Sequence, residues 1–122
     1  MPVDRILMRQ ALNNLITNAI HAMHESGLIR IISEIDDSGY YLIIRIIDNG
    51  PGIKSQFLDR IFDPGFTLGK NGTGLGLAIV EKIIIEHNGK ISCKSDEGQG
   101  AEFIIMLPLN SGDSDGANTA DR

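Results

Sequence analysis

The sequence predicts an α+β fold in which helices cover one face of a mainly antiparallel or mixed sheet. Two long stretches repeat apolar residues at spacings of three and four, the period of a helix with one buried face. Four shorter stretches are β-rich, and they come in pairs, so the order is helix, two strands, loop, helix, two strands.

The first helix runs from Asp4 to about Glu25, with Leu12, Leu15, Ile16, Ala19 and Met23 on its apolar side. Asp4 suits the N-cap and Ser26-Gly27 the stop. LIRIISEI (28–35) and YYLIIRIID (40–48) form a hairpin about the turn DDSG (36–39). The near-continuous apolarity of the second strand predicts cover on one face and partial cover on the other. DNGPGI (48–53) is a turn, and KSQFLDRIF (54–62) suits a short helix. DPGFTLGKNG (63–72) has four Gly or Pro residues in ten positions and reads as a mobile loop. The second helix runs from Leu75 to about His87, with Leu77, Ile79, Val80, Ile83 and Ile84 apolar, and Asn88-Gly89 ends it. KISCKS (90–95) and AEFIIMLPL (101–109) make the last two strands across DEGQG. Residues 110–122 hold no aliphatic side chain larger than Ala, so a disordered tail is expected after an ordered domain spanning 1–109.

The 122 residues suit one domain, and 42% hydrophobic content supports a core. A net charge of −5, from 11 basic and 16 acidic residues, argues against a nucleic-acid partner. The single cysteine, Cys93, excludes an intrachain disulfide and fits a reducing compartment. The first ten residues lack a signal-peptide pattern, and no apolar run reaches the roughly 18 residues of a membrane span.

Three groups of residues point to chemistry. Asp48 closes an apolar strand, where an ionised carboxylate needs partners. It is either a turn-former bonded to its own backbone or an acceptor for a planar amine such as that of adenine, with Gly50 and Gly52 clearing the path of a flat ring. Gly72, Gly74 and Gly76 alternate beside a helix start, an arrangement that can turn backbone amides toward phosphate. The spacing is neither the dinucleotide fingerprint nor a Walker loop, since Gly65 to Lys70 is one residue short and Asn71 stands where Ser or Thr is needed. Gln10, Asn14, Asn18 and His21 form a polar stripe on the first helix. Asn is a middling helix former, so the stripe is either a solvated face or an amide array for a hydrated Mg²⁺.

Together these segments resemble the catalytic ATP-binding domain of bacterial two-component sensor histidine kinases, in the GHKL superfamily shared with DNA gyrase, MutL repair proteins and a heat-shock chaperone class. RQALNNLITNAIHAM resembles the N box, DNGPGI the first glycine box, IFDPGFT the F box, GTGLGLAIV the second glycine box, and GKISCKSDEGQGAEFIIMLP the closing strands. The resemblance covers Asp4 to Leu109 and implies a two-layer α/β sandwich that binds ATP and Mg²⁺. It implies that Asn18 holds Mg²⁺ with Asn14 beside it near the phosphates, and that His21 stands where the family often has Lys or Arg. Asp48 would accept the adenine amine, and Gly50 and Gly52 would admit the purine. Ile53 and Phe66 would neighbour the pocket or its lid. Lys70 would reach phosphate from a lid of about residues 64–72, and Gly72, Thr73, Gly74, Leu75 and Gly76 would hinge it and supply amides.

Three departures stand out. Gln10 occupies a position where the family often has an acid or His that helps activate the acceptor. Ala101 follows Gly100 where the family usually has Thr. The chain also begins after the point where the family places a short strand pair, which would leave a sheet edge unprotected. The resemblance implies transfer of the γ-phosphoryl group to a histidine on a separate helical dimerisation domain, and from there to a response regulator. His24-Glu25 matches the acceptor motif superficially but lies on the wrong helix, so the isolated chain is expected to bind ATP without phosphorylating itself. The domain would be cytoplasmic, with a membrane anchor in the parent protein left open. The alternatives are an anti-sigma-factor-type Ser/Thr kinase and a non-catalytic nucleotide sensor of the same superfamily.

Overall fold

The structure, a computed structural model, describes residues 4–23, 27–66 and 76–109. The N-box stretch forms α1 (Arg5–Met23), and the hairpin forms β1 (Ile29–Ile35) and β2 (Tyr41–Asp48). The second glycine box runs into α2 (Gly76–Glu86), which is followed by β3 (Lys90–Ser95) and β4 (Ala101–Pro108). The four strands make one sheet in the order β1-β2-β4-β3, and every pairing is antiparallel. The expected α+β sandwich is therefore present, with an antiparallel sheet among the described residues rather than a mixed one.

Local chemistry sets the helix ends. Asp4 caps α1, its Oδ1 accepting the Leu7 N–H at 3.0 Å. At the end of α2, Asn88 takes the left-handed conformation (φ 63°). The Gly89 N–H then reaches the Ile84 carbonyl at 2.9 Å and the Asn88 N–H reaches that of Ile85 at 2.9 Å, the paired bonds of a Schellman stop. Gly89 is required because a Cβ there would strike the Met106 carbonyl oxygen. His87 straps the two helices together. The Asp4 N–H donates to Nε2 at 3.0 Å while Nδ1 meets the Ile83 carbonyl at 2.8 Å. Both bonds hold at once only with the ring proton on Nδ1.

The core lies between the helices and one sheet face. β4 alternates strictly, burying Ala101, Phe103, Ile105 and Leu107. Against them pack Met8, Ala11, Leu15 and Ala19 of α1 and Val80, Ile83 and Ile84 of α2. Ile105 is fully buried at 0% exposure, so Ile105→Ala removes core volume that its neighbours cannot refill. It is expected to cost about 2–5 kcal/mol in urea unfolding, with the midpoint shifting and the slope unchanged.

On the opposite sheet face Arg45 sits between Glu102 at 2.8 Å and Glu34 at 3.6 Å, and the Glu102 carboxylate raises its guanidinium above its ordinary range. Strand β1 is an edge of the described sheet and leaves Ile31 and Ile35 exposed at 55% and 61%.

The short helix expected over residues 54–62 is present as a 3-10 helix rather than an α-helix. Ser55–Phe57 make a single 3-10 turn, continued by i+3 bonds from Leu58, Arg60 and Asp63 to the carbonyls of Ser55, Phe57 and Arg60. Lys54 offers no side-chain cap, and so short a helix does not repay its nucleation. The tighter winding instead drives Ile61 into the core and sets Phe62 edge-on to Phe103, with centroids 6.2 Å apart.

Candidate nucleotide site

Asp48 ends β2 at one end of the sheet, directly beside Ala101, which pairs in turn with Ser95. Its side chain lies on the helix-facing side, the side of Ile46 and Phe103, and Asp48 is the buried polar residue among that core at 7% exposure. Among the described residues its Oδ1 accepts the Gly50 N–H at 2.9 Å, and Oδ2 has no such partner. The turn-forming reading of Asp48 is seen in Oδ1. Oδ1 closes the Asx-type turn, and among the described residues Oδ2 has no donor, although a buried carboxylate oxygen calls for one.

The loop after Asp48 is held close to its neighbours. Gly50 leaves room for α1, since a Cβ would lie 3.0 Å from Met23 Cγ and 3.1 Å from Asp48 Oδ1. Gly52 has φ +78° and faces the Asp96 carbonyl oxygen, which a Cβ would strike. Ile53 turns into the core at 8% exposure.

The polar stripe of α1 connects this loop to the start of α2. Asn14 points its amide nitrogen at the Gly76 carbonyl at 3.5 Å, the outer limit of a hydrogen bond. Asn18 is exposed one turn further on, followed by Ala22, whose backbone borders Gly50. From Asn14 to Ala22 is about 12 Å of helix. A row of amides therefore runs from the second glycine box to the first. Gln10 and His21 are also exposed on this helix. Asn18 is an exposed amide, and an amide oxygen is the kind of ligand a divalent ion takes while keeping most of its water.

Phe66 packs on Phe57 at a centroid distance of 5.7 Å and lies under the Arg60 guanidinium at 4.8 Å, contacts that place it with the F-box turns. Lys70, Gly72, Thr73, Gly74 and Leu75 lie outside the described residues, as do His24 and residues 110–122. Cys93 is half-buried beside Phe103. Burial, helped by Asp48 and Glu102, pushes its thiol up to about 12, so it stays protonated near neutrality and serves as a small packing residue.

The sequence reading missed Ser95. Its hydroxyl accepts the Ile53 N–H at 2.7 Å and donates to the Gly100 carbonyl at 2.6 Å. Nothing local marks it, because its partner Ile53 is 42 positions away.

A two-layer domain with a buried strand-end carboxylate, a glycine-relieved loop and an amide row along the facing helix defines a nucleotide-binding class. The chain belongs to the histidine kinase-, DNA gyrase B- and HSP90-like ATPase family, whose model matches residues 3–111. It is 48% identical over 103 residues to the sensor histidine kinase ZraS of Salmonella typhimurium, covering 84% of this chain and 22% of that protein. The chain thus spans less than a quarter of the length of that relative. Its structure superposes on the catalytic domain of histidine kinase ThkA with a TM-score of 0.76 at 41% identity, covering 87% of this chain and 68% of that one. Full-length ShkA in complex with AMPPNP matches with a TM-score of 0.73 at 32% identity, over 84% of this chain and 21% of that one.

Proposed function

We propose that this chain is the ATP-binding catalytic domain of a sensor histidine kinase. The observation that carries the reading is the pairing of a buried Asp48, bonded through Oδ1 alone among the described residues, with the amide row Asn14–Asn18, which joins the two glycine boxes. Asp48 Oδ2 accepts the exocyclic amine of adenine, while Gly50 and Gly52 let the ring approach. Asn14 and Asn18 line the path of the phosphates, and Asn18 is the residue to hold Mg²⁺. When bound, Mg²⁺ neutralises charge on the β- and γ-phosphates. His21 faces the same region, and Lys70 with the amides of Gly72 to Gly76 completes the phosphate contacts.

In phosphoryl transfer such a domain mostly positions and neutralises. The unprotonated nitrogen of an acceptor imidazole forms the new P–N bond, the bond to the bridging oxygen breaks, and ADP leaves. The proton on the other imidazole nitrogen passes to a base outside this stripe, because Gln10 cannot take it. The acceptor histidine belongs to a helical dimerisation domain. A shallow apolar groove of about 520 Å³, lined by Phe62, Pro64, Ile79 and Ile85 among others, offers that domain a seat beside α2. A response regulator then receives the phosphoryl group. Among the described residues no helix is long and apolar enough to cross a membrane.

The test uses ATP labelled at the γ-phosphate. Acid-labile, base-stable label is expected on an added helical domain carrying an acceptor histidine, and none on this chain alone. Acid-stable label on a protein serine would instead support the anti-sigma-factor type. ATP binding with no transfer at all would support a nucleotide sensor.

A further inference from the structure

We propose that Ser95 is a positioning residue for the base pocket, fixing where the Asp48 carboxylate stands without touching the nucleotide itself. This rests on the nucleotide reading above. Ser95 ends β3 and shares its sheet row with Ala101 and Asp48. Its hydroxyl has both hydrogen-bonding roles engaged, accepting from the Ile53 N–H at 2.7 Å and donating to the Gly100 carbonyl at 2.6 Å. No rotation of that hydroxyl keeps both bonds, so its orientation is fixed.

The two partners belong to the segments that frame Asp48. Ile53 closes the loop that begins at Asp48. Gly100, buried and at φ +86°, presses on the Asp48 carbonyl oxygen so closely that a Cβ would strike it. The seam is reinforced by the Gly98 N–H, which donates to the Pro51 carbonyl at 2.6 Å, and by Gly52 packed on the Asp96 carbonyl. Ser95 is the side chain that ties both edges of this seam at once. Removing its hydroxyl leaves a part-buried N–H and a carbonyl without partners, and the Asp48–Ile53 loop can then relax away from the turn.

A misplaced Asp48 weakens a ligand that donates to it, and gives no such loss to one that offers an acceptor oxygen in the same place. The experiment is titration calorimetry of the 122-residue chain with Mg²⁺ and either ATP or inosine triphosphate, which lacks the exocyclic amine. The wild type is expected to prefer ATP. If it binds both alike, the base-pocket reading itself is wrong and the inference falls with it. Given that preference, Ser95→Ala is expected to reduce the ATP-to-inosine-triphosphate affinity ratio about 10-fold, the scale of one hydrogen bond to a charged group. Ser95→Thr, which keeps the hydroxyl, is expected to restore the ratio to within about twofold of wild type, since the positioning bonds return. An unchanged ratio in Ser95→Ala, or equal losses for both nucleotides, overturns the proposal, as does failure of Ser95→Thr to restore it. Should Ser95→Ala not fold, Ser95→Cys keeps the size with weaker bonds; a lowered ratio in that variant upholds the proposal, and an unchanged one overturns it.

Discussion

Asp48→Asn is expected to lower ATP affinity by about 1.5–3 kcal/mol, roughly 10- to 150-fold, with little change in thermal stability. The asymmetry of the two carboxylate oxygens gives the reason. Oδ1 is committed to the Gly50 N–H at 2.9 Å. An asparagine satisfies that turn bond with its carbonyl oxygen, so the loop keeps its shape. Its NH₂ group then occupies the place of Oδ2 and meets the adenine amine donor to donor. Titration calorimetry with ATP and Mg²⁺ on both proteins gives the answer. Equal affinities would remove Asp48 from the base pocket.

Gly100→Ala is expected to damage both the fold and the site. The residue is buried with φ +86°, where an L side chain costs about 1–2 kcal/mol before any contact is counted. The added Cβ also strikes the Asp48 carbonyl and comes within 3.0 Å of Asn49 Cα, both of them backbone that cannot swing aside. A total loss of at least about 2 kcal/mol follows, together with loss of ATP binding at temperatures where the protein is still folded. Gly98→Ala is the matched control. Its φ of +84° carries the same strain, but a Cβ there meets nothing within 4 Å. Only the strain cost of about 1–2 kcal/mol is expected, with ATP affinity intact. Urea unfolding and calorimetry on the pair separate strain from collision. Equal behaviour of the two variants would show that the contact with Asp48 has no consequence.

Features decided within a few residues were legible in the sequence. The Asp4 cap, the Asn88-Gly89 stop and the DDSG turn each follow from local hydrogen bonding. In that turn Asp36 Oδ1 accepts the Tyr41 N–H at 3.1 Å and the Ser38 hydroxyl at 2.9 Å. The buried faces of both helices followed from apolar spacing, although α1 buries Met8 and Ala11 more deeply than Leu12 and Ile16. What escaped is what depends on pairing across the sheet. In residues 54–62 the demands of Ile61 and Phe62 on the core overrode a helix-like pattern, and the turns tightened. FIIMLPL is so evenly apolar that its strict alternation of burial appears only once β2 and β3 flank it. Ser95 looks like any strand-end serine until antiparallel pairing sets it one strand away from β2.

The proposed nucleotide reaches across both layers. Its base hangs from a strand end, while its phosphates follow a helix whose own first turn is laced to the far end of α2 through His87. A molecule held in that way would act as a rivet through the sandwich, fastening one layer to the other beyond what the core alone provides.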